Sequence, residues 1–463
     1  GGPDLMGDAD TPAWTYDTLK AWDHAHLWHP FSPMQLWLAD DPVVIVRGEG
    51  NEVIDSEGHR YLDGVSSLWC NVHGHNREEL NEAITAQLHQ IAHSTLLGLT
   101  NVPAIVLAER LTSLAPVGLS RVFYSDAGAT AVEAALKMAL QFWQLSGQPR
   151  KTRLASLVGA YHGDTLGAVG VGYTETFHRF YRPVLPDCVR LTPPHVWQWQ
   201  DRLSEAEALD RSVAEARDTL AREQETLAAL IIEPVMQGAA GMWPQPPGYV
   251  AALREITSAV DVLLIGDEVA TGFGRTGTMF ACEQDRVTPD LLCLAKGITG
   301  GYLPLAATLA TDRVHDAFLG EAHEGRTFFH GHTYTGNPLA CAAALASLAI
   351  FEADDTLRRL APKVDQLERQ LAEEVAPLAH VADVRQRGVM VGIELAADAS
   401  ARRSYPARDR IGARVTVEAR ARGVIIRPLG DVVVLMPPLS VREDELDRLV
   451  TVVREAIVAV TEP

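Results

Sequence analysis

The chain has 463 residues, 47% of them hydrophobic and 22% charged, which is the composition of an ordinary globular protein large enough for two cores. Its formal net charge of −20 argues against nucleic acid and anionic membranes as partners, because binding phosphate groups needs clustered Lys and Arg. No apolar run reaches the roughly 18 residues of a membrane span, and no signal-peptide pattern opens the chain. Because the five cysteines are scattered and never spaced as CxxC, we expect a cytoplasmic protein without a disulfide framework.

The middle of the chain alternates short apolar strands with helices. Residues 121–126 (RVFYSD) predict a strand that runs into a turn, and residues 129–143 follow with apolar side chains at helical spacing. Residues 227–234 (LAALIIEP) and 262–268 (VLLIGDE) are continuous apolar runs, typical of strands buried on both faces. The expected fold class is therefore α/β, with a mostly parallel sheet covered by helices.

Two acidic residues fall where these strands end. Glu233 follows the first apolar run, and Asp267 lies at the end of the second. Ligands of open α/β sheets bind beyond the carboxyl ends of the strands. We therefore expect the functional site near these two carboxylates.

After about residue 345 the pattern changes to a charged amphipathic stretch followed by short strands and helices, which predicts a smaller α+β domain. We expect an N-terminal segment (1–74) that contributes to the small domain and the active site, a large cofactor-binding domain (75–345) and a C-terminal small domain (346–463). Residues 1–12 are rich in Gly and Asp, have little to bury, and are expected to be disordered.

The densest cluster of polar and small residues is LLIGDEVATGFGRTG (263–277), followed by LCLAKGITGGYLP (292–304). Lys296 stands at the end of an apolar strand, where burying an ammonium costs several kcal/mol unless it is neutralised or paired. A Schiff base with an aldehyde cofactor removes that cost, and desolvation lowers the pKa of the lysine as this chemistry requires. Taken alone, such a lysine is more often a surface residue on a glycine-rich loop.

Several other residues fit the same chemistry. Pyridoxal phosphate (PLP) acts as an electron sink only while its pyridine nitrogen is protonated, and a buried carboxylate such as Asp267 keeps it so, with Glu268 as the competitor. Strand alternation points these two acids to opposite faces. A phosphate needs backbone N–H groups at a helix N-terminus, where Gly128 and Ala129 fall, and the aromatic face of Tyr161 could stack on the cofactor ring.

Two competing motifs are weaker. GFGRTG (272–277) matches the dinucleotide-binding GxGxxG, but Asp267 to Thr271 intervene after its strand and no helix is predicted after it, so a nicotinamide site is disfavoured. The pairs His73/His75 and His330/His332 lack nearby Cys or carboxylate ligands, so we predict satisfied or exposed histidines and no metal site.

The signature LLIGDEVATGFGRTG with AKGITGGYLPLAA resembles that of the class III (ω-type) aminotransferases of fold type I, and the resemblance extends from about residue 20 to the C-terminus. HLWHPF, SSLWCNVHGHN, AYHGDT, GHTYTGNPLACA and VIIRPLGDVVVLMPP are similar to a branch of that family in biotin biosynthesis. The resemblance implies transamination of 8-amino-7-oxononanoate to 7,8-diaminononanoate by a homodimer with shared active sites, with PLP as cofactor.

The resemblance also assigns residues around the cofactor. Lys296 matches the Schiff-base lysine, Asp267 the acid at the pyridine nitrogen, and Tyr161 the stacking aromatic. Gly128 and Ala129 match the phosphate loop, where many relatives have Gly-Ser. The remaining cofactor contacts that it implies are His162, Glu233 and Thr333, the last reaching the phosphate of the neighbouring subunit.

A second set of residues is implied for the substrates. Arg427 matches the arginine that holds the substrate carboxylate, as its planar fork can. Trp69 matches one wall of the substrate pocket, Asp164 a polar group near it, and Phe31 and Gly331 further contacts.

Three positions leave the amino donor open. Relatives that use S-adenosylmethionine usually read WHPY and SSWW, whereas this chain has Phe31 and Leu68 there, and Leu429 stands where others have Phe. Some relatives that resemble this chain use L-lysine instead, so both donors are retained. Alternative functions are another ω-aminotransferase, for example with pyruvate as acceptor, an aminomutase or racemase, and a cofactor-free binding protein.

Overall fold

The computed structural model describes residues 14–462, so the disorder predicted for residues 1–12 lies outside the described part of the chain. Within residues 14–462 no helix is long and apolar enough to cross a membrane. The fold is α/β, as predicted, with one large sheet flanked by helices and smaller sheets built by the two ends of the chain. The boundaries at residues 74/75 and 345/346 stay predictions.

The strands are, in chain order, β1 (Ile45–Glu49), β2 (Glu52–Asp55), β3 (Arg60–Asp63), β4 (Leu119–Ser125), β5 (Arg153–Leu157), β6 (Cys188–Leu191), β7 (Leu227–Ile232), β8 (Met236–Gln237), β9 (Trp243–Pro244), β10 (Leu263–Asp267), β11 (Leu291–Leu294), β12 (Ala306–Thr311), β13 (Val381–Arg387), β14 (Met390–Leu395), β15 (Val424–Ile425), β16 (Arg427–Leu429) and β17 (Val432–Leu435).

The α-helices are α1 (Tyr16–His26), α2 (Met34–Trp37), α3 (Ser66–Trp69), α4 (Glu78–Gln90), α5 (Val102–Leu114), α6 (Gly128–Leu145), α7 (Leu166–Val171), α8 (Glu175–His178), α9 (Pro194–Gln200), α10 (Glu205–Glu223), α11 (Tyr249–Ala259), α12 (Asp312–Asp316), α13 (Pro338–Ala353), α14 (Thr356–Gln370), α15 (Ile411–Ala421) and α16 (Glu443–Thr461). The strand predicted over 121–126, the helix over 129–143 and the two apolar strands are therefore confirmed as β4, α6, β7 and β10.

The large sheet has the strand order β4-β12-β11-β10-β7-β5-β6. Strand β12 pairs antiparallel with β11 and β4, and the other pairings in this sheet are parallel. The sheet is therefore mostly parallel. The carboxyl ends of β7, β10 and β11 meet at one edge.

Alternation along the central strands decides which side chains share a face. Leu263 and Ile265 of β10 pack in the cluster that contains α6, whereas Leu264 packs on the opposite side with α11. Each such buried aliphatic side chain contributes about 1.5–3 kcal/mol to folding. Because the period is two, Asp267 continues the face of Leu263 and Ile265, and Glu268 belongs to the other face.

The two ends of the chain are joined by strand pairing. The N-terminal strands form a sheet of order β1-β2-β3-β15, in which β15 runs parallel to β3. A second antiparallel sheet has the order β13-β14-β17-β16 and is covered by α14, α15 and α16. The N-terminal segment thus pairs with the C-terminal part of the chain, in line with the predicted contribution of residues 1–74 to the small domain.

Candidate active site

A cavity of about 700 Å³ lies at the carboxyl ends of β7, β10 and β11. Nine of the predicted site residues line it, namely Trp69, Gly128, Ala129, Tyr161, His162, Asp164, Glu233, Asp267 and Lys296. Its volume falls within the range of pockets that enclose small-molecule ligands. The strand-end position expected from the sequence is therefore where these residues meet.

Lys296 opens a short 3₁₀ turn (Lys296–Thr299) directly after β11 and adopts a left-handed backbone with φ of 45°. Its Nζ lies 4.7 Å from the ring centroid of Trp69. Burial lowers the pKa of Lys296, although the charges of Asp267 and Glu233 oppose that shift. No carboxylate oxygen within the described chain lies within 4 Å of Nζ, so the amine faces the cavity without an ion-pair partner.

Asp267, the last residue of β10, is buried and held at both carboxylate oxygens. Oδ2 lies 2.6 Å from Nδ1 of His162, and Oδ1 accepts a hydrogen bond of 3.0 Å from the backbone N–H of Val269. Nε2 of His162 is buried and finds no partner among the described residues. His162 therefore orients the carboxylate of Asp267. His162, which was predicted to contact the cofactor, would thus act on it through Asp267.

Glu233 follows β7 and lies on the same side of the sheet as Asp267, because both continue the alternation of the face that packs on α6. Its two carboxylate oxygens each accept a 3.0 Å hydrogen bond, from the backbone N–H groups of Tyr161 and Gly238. Burial, together with the charge of Asp267, raises the pKa of Glu233 to about 7. Its protonation state thus changes near neutral pH.

Glu268 has a different environment from Asp267 although the two are adjacent. It is fully buried, accepts hydrogen bonds from the backbone N–H groups of Ala281 and Cys282 and from the Thr271 hydroxyl, and does not line the cavity. The expectation that the two acids point to opposite faces is therefore met, and Asp267 is the one at the site.

Tyr161 lies half-buried in the cavity wall. Its hydroxyl donates a 2.7 Å hydrogen bond to Oδ2 of Asp164, and burial together with that carboxylate raises the pKa of Tyr161. The ring of His178 is nearly parallel to that of Tyr161, with centroids 6.5 Å apart. Asp164 therefore fixes the orientation of the ring that is predicted to stack on the cofactor.

The N-terminus of α6 forms another part of the wall. The first backbone N–H groups of a helix have no intrahelical partner, so those of Gly128 and Ala129 can bind an anion. Gly128 is required here because an added Cβ would lie 2.5 Å from Cγ1 of Val269, the residue whose N–H holds Asp267. The N–H groups at the start of α6 that can bind a phosphate are therefore packed against Val269, next to Asp267.

Trp69 is positioned by a feature that sequence reasoning missed. Residues 66–69 all have positive φ values between 50° and 77°, a left-handed turn without glycine. Such backbone costs roughly 1–2 kcal/mol per residue. Asp63 offsets part of that cost by accepting hydrogen bonds from the N–H and hydroxyl of Ser67. The run of two serines before Leu68 carries no signal for this conformation.

Other lining residues were also missed, among them Cys70, Asp126 and Tyr302. Tyr302 accepts a 2.5 Å hydrogen bond from the backbone N–H of Arg77, and Asp126 lies 3.1 Å from Nδ1 of His332. Tyr302 and Cys70 are close in sequence to Lys296 and Trp69, and that proximity is the signal that could have found them.

Four predicted residues do not line the cavity of the single chain. Gly331 and Thr333 lie exposed on the loop before α13, and the Thr333 carbonyl accepts a hydrogen bond from His93. Arg427 lies exposed on β16. Phe31 is exposed and contacts Phe177, with ring centroids 6.1 Å apart. Their assignments stay predictions.

The two competing motifs have other contacts. In GFGRTG, no helix begins, and the Arg275 guanidinium is buried and donates to carbonyl oxygens of Asn71 and Pro437. The paired histidines are each bonded to the protein: His73 to Ser347, His75 to Asp63, His330 to Lys137 and His332 to Asp126.

The residues that line the cavity provide the chemical groups that PLP requires. They combine an amine without an ion-pair partner on Lys296, an oriented carboxylate on Asp267, an aromatic face on Tyr161 and free helix N–H groups at Gly128 and Ala129. These are the groups that an aldehyde, a pyridine nitrogen, an aromatic ring and a phosphate require.

Comparison with known proteins agrees with this chemistry. The sequence profile of the family "Aminotransferase class-III" matches residues 38–457. The adenosylmethionine-8-amino-7-oxononanoate aminotransferase of Nitratidesulfovibrio vulgaris is 54% identical over 446 residues, which is 96% of this chain and 82% of the relative. The crystal structure of the protein of that name from Methanocaldococcus jannaschii has a TM-score of 0.91 at 43% identity, covering 96% of this chain and 100% of that chain. An amine transaminase from an uncultivated Pseudomonas species, solved with PLP bound, has a TM-score of 0.90 at 39% identity, covering 94% and 99%. The chain therefore belongs to the class III aminotransferases, which transfer amino groups with PLP as cofactor.

Proposed function

We propose that this enzyme transfers an amino group to 8-amino-7-oxononanoate, giving 7,8-diaminononanoate in biotin biosynthesis. The observation that supports this most strongly is the identity of 54% over 96% of the chain to a relative whose name states that acceptor. The geometry is compatible, because the cavity of about 700 Å³ has apolar and aromatic walls beside Lys296 and leaves room for an extended substrate.

The residues of the wall have distinct roles in this proposal. Bound PLP supplies the electron sink. Lys296 would hold it covalently until the amine of the donor takes the place of Nζ. The freed Nζ would then take the proton from the amine-bearing carbon of the donor, for which burial and a lowered pKa prepare it. Asp267, held by His162 and Val269, keeps a negative charge fixed at one place in the cavity.

Arg427 binds the acceptor carboxylate in this proposal. On β16 it lies two residues before Leu429, so alternation places both side chains on one face of the strand. Leu429 packs against the apolar cluster that contains Trp69. These contacts support a position of Arg427 on the strand face that packs on that cluster, and its planar guanidinium can bind a carboxylate through two hydrogen bonds.

The proposal includes a homodimer with shared sites. Large apolar side chains are exposed on the chain near α5 and on the loop before α13, including Leu97 (83%), Val102 (72%) and Phe329 (84%). Contiguous exposed apolar surface of this kind marks an interface between subunits. Gly331 and Thr333 lie on the same loop as Phe329, so a second copy that covers this surface would receive them at its own site.

The proposal also assigns a reducing compartment, the cytoplasm. All five cysteines are free thiols, and three of them, Cys282, Cys293 and Cys341, are buried. Unpaired buried thiols are the usual state of cysteines in reducing compartments.

S-adenosylmethionine is the first candidate for the amino donor, because the name of the relatives states adenosylmethionine. L-Lysine is the second, because Phe31 and Leu68 replace the aromatic residues typical of relatives that use S-adenosylmethionine. Leu68 lies in the left-handed turn that positions Trp69, and Phe31 reaches Tyr161 through the rings of Phe177 and His178. Both positions therefore adjoin residues that line the cavity, Trp69 for Leu68 and, through two rings, Tyr161 for Phe31.

The test is an amino-transfer assay with the purified PLP enzyme. The visible band of the lysine-bound cofactor is recorded with S-adenosylmethionine and with L-lysine separately, and each reaction then receives 8-amino-7-oxononanoate or pyruvate. Loss of the band with one donor and formation of 7,8-diaminononanoate by mass spectrometry support the proposal. Turnover with pyruvate alone would identify a different ω-aminotransferase.

The shared site is tested separately with Thr333→Ala, using Thr461→Ala on the last helix as the control. We expect a dimer by light scattering in both variants and an affinity for PLP about tenfold lower in Thr333→Ala, the cost of one hydrogen bond to a charged group. Unchanged cofactor affinity would remove Thr333 from the proposed site.

A further inference from the structure

A second cavity of about 510 Å³ lies between the β8–β9 hairpin, α9 and β13, and shares no lining residue with the active-site cavity. Four arginines line it, Arg202, Arg385, Arg387 and Arg402. It also contains two carboxylates, Asp383 and Glu205. The lining is therefore cationic in a chain that has 60 acidic and only 40 basic residues.

Arg385 is not available to a ligand. It donates to Asp383, Glu394 and the Gly241 carbonyl, and its guanidinium lies 3.4 Å from the ring centroid of Trp243. Asp383 is thereby neutralised within the protein. The charge balance of the cavity is then three arginines against Glu205.

The other three arginines are fixed by the backbone but have no acidic partner. Arg402 donates to the carbonyls of Gln198 and Trp199, Arg202 to that of Ser400, and Arg387 to that of Gln245. No carboxylate in the described part of the chain lies within 4 Å of any of the three. A guanidinium has five N–H donors, so each keeps donors for a ligand.

Arg387 lines the cavity and carries a positive charge that its hydrogen bonds within the chain satisfy only in part. Its Nε is buried and donates to no acceptor among residues 14–462. Leaving a buried charged donor unsatisfied costs more free energy than a surface one, because water does not replace the lost bond. Because Nε has almost no accessible surface, an anion in the cavity would instead be held by the terminal nitrogens of the Arg387 guanidinium, of which Nη2 already donates to the Gln245 carbonyl.

The aromatic residues limit the size of that anion. One face of Trp243 is covered by the His195 ring at 4.9 Å and the other by Arg385. The edge of Trp243 meets Trp199, whose ring in turn carries Arg402 at 4.4 Å. The faces of Trp243 are therefore occupied, so an aromatic ligand gains no stacking surface there and a compact anion is favoured.

We infer that this cavity binds a compact dianion, a phosphate group or a small dicarboxylate, held by Arg202, Arg387 and Arg402. The site is separate from the amino-transfer reaction. It reaches the active site through one residue, since Gln245, which accepts from Arg387, also donates from Nε2 to the Glu233 carbonyl.

The test is calorimetric titration of the PLP-saturated enzyme with inorganic phosphate and, separately, with malonate, in chloride buffer at constant ionic strength. Saturation with PLP keeps phosphate out of the cofactor site. We expect one ion of at least one of the two probes to bind per chain. Tighter binding of phosphate assigns a phosphate ligand, and tighter binding of malonate assigns a dicarboxylate.

The matched variants are Arg387→Gln and Arg403→Gln. Arg403 is exposed beside Arg402 and outside the cavity. Arg387→Gln should weaken binding about tenfold or more, and Arg403→Gln should leave it unchanged. Should Arg387→Gln fail to fold, Arg202→Gln on the rim gives the same test, and Glu205→Gln should tighten binding by removing a repelling charge. Absence of binding by both probes, or equal affinity in Arg387→Gln and wild type, would overturn the inference.

Discussion

The predicted site residues that line the cavity (the wall) and the four that lie outside it (the entrance: Phe31, Gly331, Thr333 and Arg427) are positioned in different ways. Lys296, Asp267, Glu233 and His162 follow buried strands or contact residues that do. The carboxylates of Asp267 and Glu233 are held by hydrogen bonds within one chain, whereas Lys296 Nζ has no ion-pair partner among the described residues. By contrast, Phe31, Gly331, Thr333 and Arg427 are exposed in the single chain, on short strands or loops. The contrast suggests that each subunit fixes the chemistry alone, whereas substrate selection depends on segments that need further contacts.

This difference has a physical cause. A buried polar group without a partner costs more free energy than an exposed one, so the hydrogen bonds of Asp267 and Glu233 fix both carboxylates before any ligand arrives. Exposed groups can form hydrogen bonds with water, so they lose little free energy while no substrate or second subunit is bound. Variants in the wall should therefore change the rate, and variants at the entrance should change substrate affinity.

The largest expected effect comes from Lys296→Ala in the wall. Loss of the covalent anchor and the base should lower turnover by about 10⁴-fold or more, while the melting temperature stays close to wild type because the removed amine has no ion-pair partner in the described chain. Steady-state rates and thermal melts measure the two effects, with Lys20→Ala on exposed α1 as the control. Near-normal turnover would refute the assigned base.

The next variant pair separates the two adjacent acids at the end of β10. Asp267→Ala should lower turnover by about 10²–10⁴-fold, the range for loss of a proton-holding group, with a modest change in stability. Glu268→Ala should instead destabilise the fold by about 3 kcal/mol or more, because two N–H groups and the Thr271 hydroxyl lose their acceptor. Urea unfolding and kinetics measure both. Equal catalytic losses in the two variants would contradict the assignment by strand face.

Arg427→Ala tests the entrance. Loss of a bidentate partner for the carboxylate of 8-amino-7-oxononanoate should raise KM about 10–100-fold for this acceptor and leave kcat less affected. Steady-state kinetics with the acceptor varied at saturating donor measure both constants. Arg408→Ala, at an exposed arginine nearby in sequence, is the control. An unchanged KM would mean that the acceptor carboxylate binds elsewhere.

The last effect concerns stability alone and is a pH dependence that comes from Glu233. Its pKa is raised from the ordinary 4.5 to about 7, so the folded state binds the proton more tightly than the unfolded state. Its stabilisation is complete below about pH 4.5 and is lost as the pH rises through about 7, a change on the order of 3 kcal/mol. Melting temperatures from about pH 5 to 8 should fall in wild type and in the exposed control Glu57→Gln. Glu233→Gln should have a lower melting temperature at pH 5, because an amide oxygen accepts only one of the two N–H bonds, but its melting temperature should change less with pH. A dependence on pH as steep as that of the wild type in this variant would contradict the raised pKa of Glu233.

Much of the site could be predicted because its signals are local. The continuous apolar runs that end at Glu233 and Asp267 predicted two strands, and alternation predicted the opposite faces of Asp267 and Glu268. The small neighbours of Lys296 and its position after an apolar strand made it a candidate, and the resemblance to the class III aminotransferases assigned its role. The left-handed turn at residues 66–69 had no such signal, because Asp63 and distant packing, rather than glycine, stabilise it.

The family, the fold class and the groups that perform the chemistry could be read from the amino-acid order alone, because each rests on short-range patterns of apolar, acidic and glycine residues. Which residues share a cavity became clear only from the folded chain. Trp69 lies beside Lys296, and Arg387 lines the same cavity as Arg202, although each pair is far apart in the sequence. Such meetings depend on strand order and on the packing of whole elements, which residue spacing does not encode.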